Sequence, residues 1–154
     1  NDSELEFLLQ HLVLPAAEAF KPQAVVITCG TDALDGDPLS RLALSNGALW
    51  SAVERLVEPV GPAVVLGGGG YNPWTLARCW TGLWGRLSGY DIPATLPSAA
   101  GRILAELQCD LVDDEDVRPE WLTTLADSPN VGAVRKDVHD LVATHERRRL
   151  HELA

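Results

Sequence analysis

Methionine is absent from the 154 residues, and the first residue is Asn1. A translated chain opens with methionine, so the sequence is expected to be a piece, or a processed product, of a longer one. Cysteine is scarce as well. Cys29, Cys79 and Cys109 are widely spaced and form no Cys-x-x-Cys pair, which excludes a disulfide framework and a thiolate zinc site. A reducing cytoplasm fits this usage, with each thiol expected to be a small buried apolar residue. Positive charge is in short supply: 12 Lys and Arg stand against 22 Asp and Glu, for a net charge of −10. That balance argues against the nucleic-acid backbone as the main ligand. No apolar run approaches the roughly 18 residues that span a bilayer, and the opening residues do not read as a basic-then-apolar leader. Neither nucleic acid nor a membrane is an expected partner. The four histidines are His11, His139, His145 and His151, no two of them adjacent.

What the chain does have is a hydrophobic content of 46% against 22% charged residues, the balance of a globular domain with a real core. Its most informative stretch is Val64-Val65-Leu66-Gly67-Gly68-Gly69-Gly70-Tyr71-Asn72. Four consecutive glycines weaken a strand or a helix, but suit a loop where the backbone takes positive φ or closely approaches another group. The run therefore reads as a buried strand that stops in a tight loop, presents Tyr71, and feeds a helix opened by Pro73.

In chain order, Ser3-Glu4-Leu5-Glu6 has the spacing of a capping box, and Leu5, Leu8, Leu9, Leu12 and Val13 recur on one helical face. Pro15 interrupts or kinks that helix, with Ala16 to Phe20 as a continuation, and His11 reads as a surface residue. Ala24 to Thr28 is short and β-branched, like a parallel strand buried on both faces. It runs into Cys29-Gly30-Thr31-Asp32-Ala33-Leu34-Asp35-Gly36-Asp37. The spacing of these carboxylates is wrong for an EF-hand. Asp35-Gly36 reads as the corner of a solvated turn, whereas Asp32 lies only four residues past the strand. Ser45-Asn46 caps a helix to about Val57, and Ala63 to Leu66 is the second buried strand. Residues 24–66 thus form a βαβ unit. Ligands of parallel sheets bind beyond the carboxyl ends of the strands, which is where Asp32 and Tyr71 stand.

The next helix is predicted to turn Leu76, Ala77, Trp80, Leu83, Trp84 and Leu87 inward, with Arg78 and Arg86 off that stripe and the Trp80/Trp84 pair in the core. Beyond Gly89 the pattern weakens. An extended connector over 92–97, a helix near 102–107, an acidic exposed loop over 111–120, a short helical stretch over 121–126 and a final amphipathic helix on Val134, Val138, Leu141, Val142 and His145 are expected. Arg147-Arg148-Arg149 reads as a solvated face that complements the helix dipole.

Cys29-Gly30-Thr31-Asp32-Ala33-Leu34, Gly36-Asp37-Pro38-Leu39, Leu66-Gly67-Gly68-Gly69-Gly70-Tyr71 and Ala77-Arg78-Cys79-Trp80 resemble the carboxyl-terminal part of the zinc-dependent histone deacetylase family. Gly67-Gly68-Gly69-Gly70-Tyr71-Asn72-Pro73 followed by Arg78 and Trp80 is most similar to the bacterial acetoin-utilisation branch. The resemblance spans residues 5–97. It implies an α/β fold of the arginase–deacetylase type: the carboxyl-terminal portion of one parallel-sheet domain over 1–154, with the motifs in 24–87 and peripheral helices over 98–154. It implies hydrolysis of acetyl or other acyl groups from lysine side chains or similar amines. In that likeness Asp32 is one ligand of a catalytic Zn2+, Tyr71 donates its hydroxyl to the acyl oxygen and is catalytic, Leu39 walls the substrate tunnel, and Gly69 and Gly70 line its floor. Asp37 falls near the rim and carries no assigned chemistry.

Two departures shape the expectation. The family's Asp-x-His motif and His-His pair do not occur here, and one carboxylate cannot make a three-ligand zinc site. The chain alone is therefore expected to be inactive and to need the N-terminal part of the same domain as its partner. The arginines that bind inositol phosphate in corepressor-type members are replaced by Pro38 and Trp74, so no inositol-phosphate control is expected. The competing readings are a catalytically incomplete half-domain or pseudoenzyme that serves as an interaction module, and a phosphate or nucleotide binder. The glycine run lacks both Gly-Lys-Ser/Thr and Gly-x-Gly-x-x-Gly, which disfavours the last.

Overall fold

In a computed structural model the protein is described over residues 1–152, with side chains as far as Glu146; Arg147, Arg148, Arg149 and His151 lie outside the residues whose side chains are described. Two strands organise the rest. The first, β1 (Val25–Cys29), pairs in parallel with β2 (Ala63–Gly67), in a register that sets Val25 against Ala63 and Cys29 against Gly67. The connection between them is the helix α3 (Asn46–Val57), whose N-cap Ser45 accepts a hydrogen bond from the Ala48 amide. Parallel neighbours require such a crossover, so the βαβ reading of residues 24–66 holds, and the fold is α/β with a parallel sheet.

Successive strand side chains point to opposite faces, and the two faces of this sheet differ. Ile27 and Val65 pack with Leu34, Trp50, Val53, Cys79 and Leu83 in the main core. On the other face Val26 is 65% exposed, Val64 51% and Leu66 47%. The expectation of two-faced burial is corrected here: only one face is covered by helices among the described residues.

The helix after β2 is α4 (Pro73–Leu87), and its inward face is only partly the one that periodicity indicates: Leu83 is buried and Ala77 and Trp80 pack against the two cores. Trp74, Thr75, Arg78, Cys79, Gly82 and Leu83 are buried, while Leu76 and Leu87 are exposed and Trp84 lies on the surface stacked on Tyr90 at 5.5 Å. The reason is steric. Trp50 of α3 lies over Gly82, where an added Cβ would meet the indole at 2.0 Å, and its Nε1 donates to the Cys79 carbonyl at 2.8 Å. Only the small-residue face of α4 lets α3 approach this closely, so Trp84 is left on the surface while Trp80 packs at the edge of the main core. Arg78, 1% exposed, is satisfied in the interior: its Nη1 lies 2.7 Å from Asp127 and its Nε donates to the Thr124 carbonyl at 2.7 Å.

The amino-terminal helix α1 (Asp2–Leu8) starts earlier than the Ser3 spacing suggested. Its capping box joins Asn1 and Glu4. A π-helical turn over Leu9–Val13 leads into α2 (Leu14–Phe20), and the Leu14 amide bonds the Leu9 carbonyl across that wider turn. The helix thereby carries Pro15 without stopping. After α4 come α5 (Ser98–Ala105), α6 (Pro119–Thr123) and α7 (Lys136–Glu152). Between α5 and α6 the acidic stretch is not wholly an exposed loop: it holds a 3₁₀ turn over Asp114–Asp116, and Val112 is buried with Trp74, Leu104 and Trp121 in a second core. The last helix buries Val138 and Val142 and sets His139 edge-on to Phe7 of α1 at 4.5 Å. No helix among the described residues is long and apolar enough to cross a membrane.

Candidate active site at the strand ends

Both strands stop at one level, because Cys29 and Gly67 are register partners. Beyond Cys29 the chain makes a 3₁₀ turn over Thr31–Ala33; beyond Gly67 it enters the glycine loop. The two loops are joined at once: the Thr31 amide donates to the Gly69 carbonyl at 2.7 Å. Asp32 and the 68–71 segment therefore share one end of the sheet, as the strand order required.

The glycines of the loop make room for a carboxylate. A Cβ on Gly69 would stand 2.1 Å from Asp32 Oδ2, and one on Gly30 would stand 2.4 Å from Asp32 Oδ1. Gly70 has φ +147°, a conformation that L side chains rarely adopt, and a Cβ there would meet Thr31 Oγ1 at 1.9 Å. Only backbone without side chains fits around Asp32. The half-buried Asp32 carboxylate, although boxed in, has no hydrogen bond or ion pair among the described residues. A buried charge normally finds a partner, so an unpaired carboxylate in a cradle fits the donor set of a cation. It is one ligand only. No group of three or more His, Cys, Asp or Glu that could hold a metal occurs among the described residues. The neighbouring thiol of Cys29 is pushed above its ordinary pKa by burial, and that of Cys79 up to about 12 for the same leading reason; neither is a ready thiolate ligand.

Tyr71 follows the loop and is 45% exposed as a residue. Its backbone is held on both sides: the amide donates to Asp37 Oδ2 at 2.8 Å, and the carbonyl accepts from the Cys109 thiol at 3.6 Å. Leu39, 63% exposed, donates its amide to the other oxygen of Asp37 at 2.9 Å. Asn72 is fully buried. Its Oδ1 accepts from the Trp74 and Thr75 amides to cap α4, and its Nδ2 donates to the Gly36 carbonyl at 2.9 Å. The acid loop thus rests on the tyrosine loop through two clasps, Asp37–Tyr71 and Gly36–Asn72. The outer side of Gly36 lies against Trp121, and Arg118, paired with Asp35 at 2.7 Å, stacks over that ring.

Strand order placed Asp32 and Tyr71 at this end of the sheet, and the family resemblance added Leu39, Gly69 and Gly70; hydrogen bonds tie their backbones together here. Sequence reasoning overlooked Asn72, although an Asn directly before a helix-opening proline is a cap signal. It gave Asp37 no chemistry and saw Cys109 only as a core thiol. Cys109 is half-exposed and reaches Tyr71 across 38 residues of sequence, a contact that no local pattern announces. Two histidines stand elsewhere: His11 of the π-helical turn and His139 of α7 flank Phe7 of α1.

A family model, the Histone deacetylase domain, matches residues 1–87. Histone deacetylase 1 of Homo sapiens is 35% identical over 97 residues, which are 63% of this chain and 20% of that protein. Histone deacetylase clr6 of Schizosaccharomyces pombe is 33% identical over 97 residues, 63% of this chain and 24% of that protein. Among solved structures, an HDAC homolog from Aquifex aeolicus is similar with a TM-score of 0.85 and 40% identity, over 94% of this chain and 39% of that chain. An HDAC homolog complexed with SAHA matches with the same values. The chain therefore spans about a fifth to a quarter of the curated relatives, and about two fifths of the solved chains.

Proposed function

The chain belongs to the histone deacetylase domain family, and from that premise we propose that it supplies one part of the active site of a zinc-dependent deacylase. The substrate class is an acyl-lysine side chain, or a small acylated amine. The observation that carries this reading is the unpartnered Asp32 carboxylate, cradled by Gly30 and Gly69 one loop away from Tyr71. Zinc held by Asp32 and by ligands from outside this chain would polarise an amide carbonyl and acidify water.

The chain's own residues then divide the remaining work. Tyr71 offers a phenolic donor at the end of the glycine loop, where the acyl oxygen gains negative charge. One such preorganised donor is worth about 10²–10³ in rate. Gly69 and Gly70 present backbone without side chains to a flat amide, and exposed Leu39 gives an apolar wall for the substrate's methylene stem. The proton of the attacking water would go to a base supplied from outside this chain, because the His-His pair expected from the family resemblance does not occur here.

The partner that completes the site is the N-terminal part of the same domain. The bare sheet face of Val26, Val64 and Leu66 supports this, because an apolar strand face next to unpaired edges favours being covered. Resemblance to the acetoin-utilisation branch rests on the run from Gly67 to Pro73 with Arg78 and Trp80, and Pro38 and Trp74 support the absence of inositol-phosphate control. The same bare face also favours a second reading, a catalytically incomplete module that binds a separate polypeptide.

Turnover of an acetyl-lysine peptide by the full protein, before and after chelation, separates the two. The deacylase reading predicts activity that chelation abolishes and zinc restores, and a Tyr71→Phe variant with kcat lower by about 10²–10³. No turnover under any metal, with a second polypeptide tightly bound, supports the interaction module instead.

A further inference from the structure

Asp37 is 7% exposed, and its two oxygens serve two residues that the proposed reaction uses. Oδ1 accepts from the Leu39 amide at 2.9 Å; Oδ2 accepts from the Tyr71 amide at 2.8 Å. The first bond alone is an ordinary Asx turn. The second is not local, since it crosses 34 residues of sequence to the far loop. We propose that Asp37 is a positioning residue that holds the hydroxyl donor Tyr71 and the wall residue Leu39 at a fixed separation, and so sets both turnover and the acyl length the site accepts. This rests on the deacylase reading given above.

The geometry favours a positioning role over a merely structural one. The Tyr71 and Leu39 side chains are largely exposed and have no side-chain hydrogen bonds among the described residues, so their placement comes through the backbone. For Tyr71 that backbone is gripped at the amide by Asp37 and at the carbonyl by Cys109. The adjacent Gly36–Asn72 bond fixes the same pair of loops a second time, which keeps the fold in place if the Asp37 grip is lost. A buried carboxylate that accepts two amides is charge-assisted on both sides. An asparagine in its place keeps one acceptor and turns an NH₂ toward the other amide, so one of the two residues is released. Misplacing a catalytic group by about 1 Å can cost about 10²-fold.

A double-mutant cycle on the full protein tests this. Asp37→Asn is expected to lower kcat on an acetyl-lysine peptide by roughly 10- to 100-fold, with KM nearly unchanged and zinc retained. It is also expected to narrow the preference for acetyl over butyryl. In a Tyr71→Phe background the same change should have an effect of no more than about twofold, because residues that act as a unit are not additive. Equal effects in both backgrounds, or an unchanged acyl preference, would overturn the positioning role. Asp37→Glu, which keeps both acceptors and the charge, is the second variant; if neither variant folds, Asp37 is structural and the inference fails. Absence of chelator-sensitive turnover in the unmodified protein would instead sink the deacylase reading, and the positioning role with it.

Discussion

Asp32 is crowded on two sides by glycine backbone, and its carboxylate has no hydrogen bond or ion pair among the described residues. That combination gives a sharp test at the residue scale. Gly69→Ala adds one carbon 2.1 Å from Asp32 Oδ2, and the carboxylate must swing to escape it. We expect zinc affinity to fall about 10- to 100-fold, the range for changes just outside the ligand sphere, while the protein still folds. Isothermal titration of the metal-free full protein with zinc measures this, and an unchanged affinity would mean that the carboxylate does not need its present orientation. At this scale Asp32 and Tyr71 were legible, because a residue's distance past a strand end can be counted along the chain. Asp37 and Cys109 were not, because each owes its role to a partner 34 or 38 residues away, and separation in sequence hides such contacts; for Asn72 the cap was legible and was overlooked, while its bond to Gly36 across 36 residues was hidden.

Among the elements, α4 shows where periodicity misleads. Of its predicted apolar stripe only Leu83 is fully buried, and the helix instead buries Trp74, Cys79 and Gly82 together with Arg78. Hydrophobic spacing counts side chains, whereas the crossing with α3 is decided by which face lets Trp50 come close. Gly82→Ala would place its methyl 2.0 Å from the Trp50 indole. Overpacking of this kind costs about 1–3 kcal/mol, despite alanine's better helix propensity. Thermal unfolding should therefore shift down by several degrees; a rise would show that the crossing relaxes freely. Arg78 follows the same lesson. Its charge suggested an outer face, but Asp127 and the Thr124 carbonyl meet it inside, and a paired guanidinium is tolerated there. The parallel βαβ unit was legible because both strands are short β-branched runs separated by a capped helix.

For the molecule as a whole, the sheet has one dressed and one bare face among the described residues, and its carboxyl end sets the Asp32 carboxylate one loop away from Tyr71. The two-faced burial expected from the strand sequences belongs to a larger sheet than these two strands make. On the deacylase reading such apolar runs fit a sheet face that further chain would cover; this chain spans about two fifths of the solved chains it matches. The central claim is that Asp32 holds the metal and Tyr71 acts on the substrate. It is tested most directly by measuring the zinc content of the full protein with Asp32→Ala beside Tyr71→Phe. The account predicts that Asp32→Ala loses its zinc, while Tyr71→Phe keeps a full complement and still fails to turn over substrate. Full zinc in Asp32→Ala, or loss of zinc in Tyr71→Phe, would contradict it.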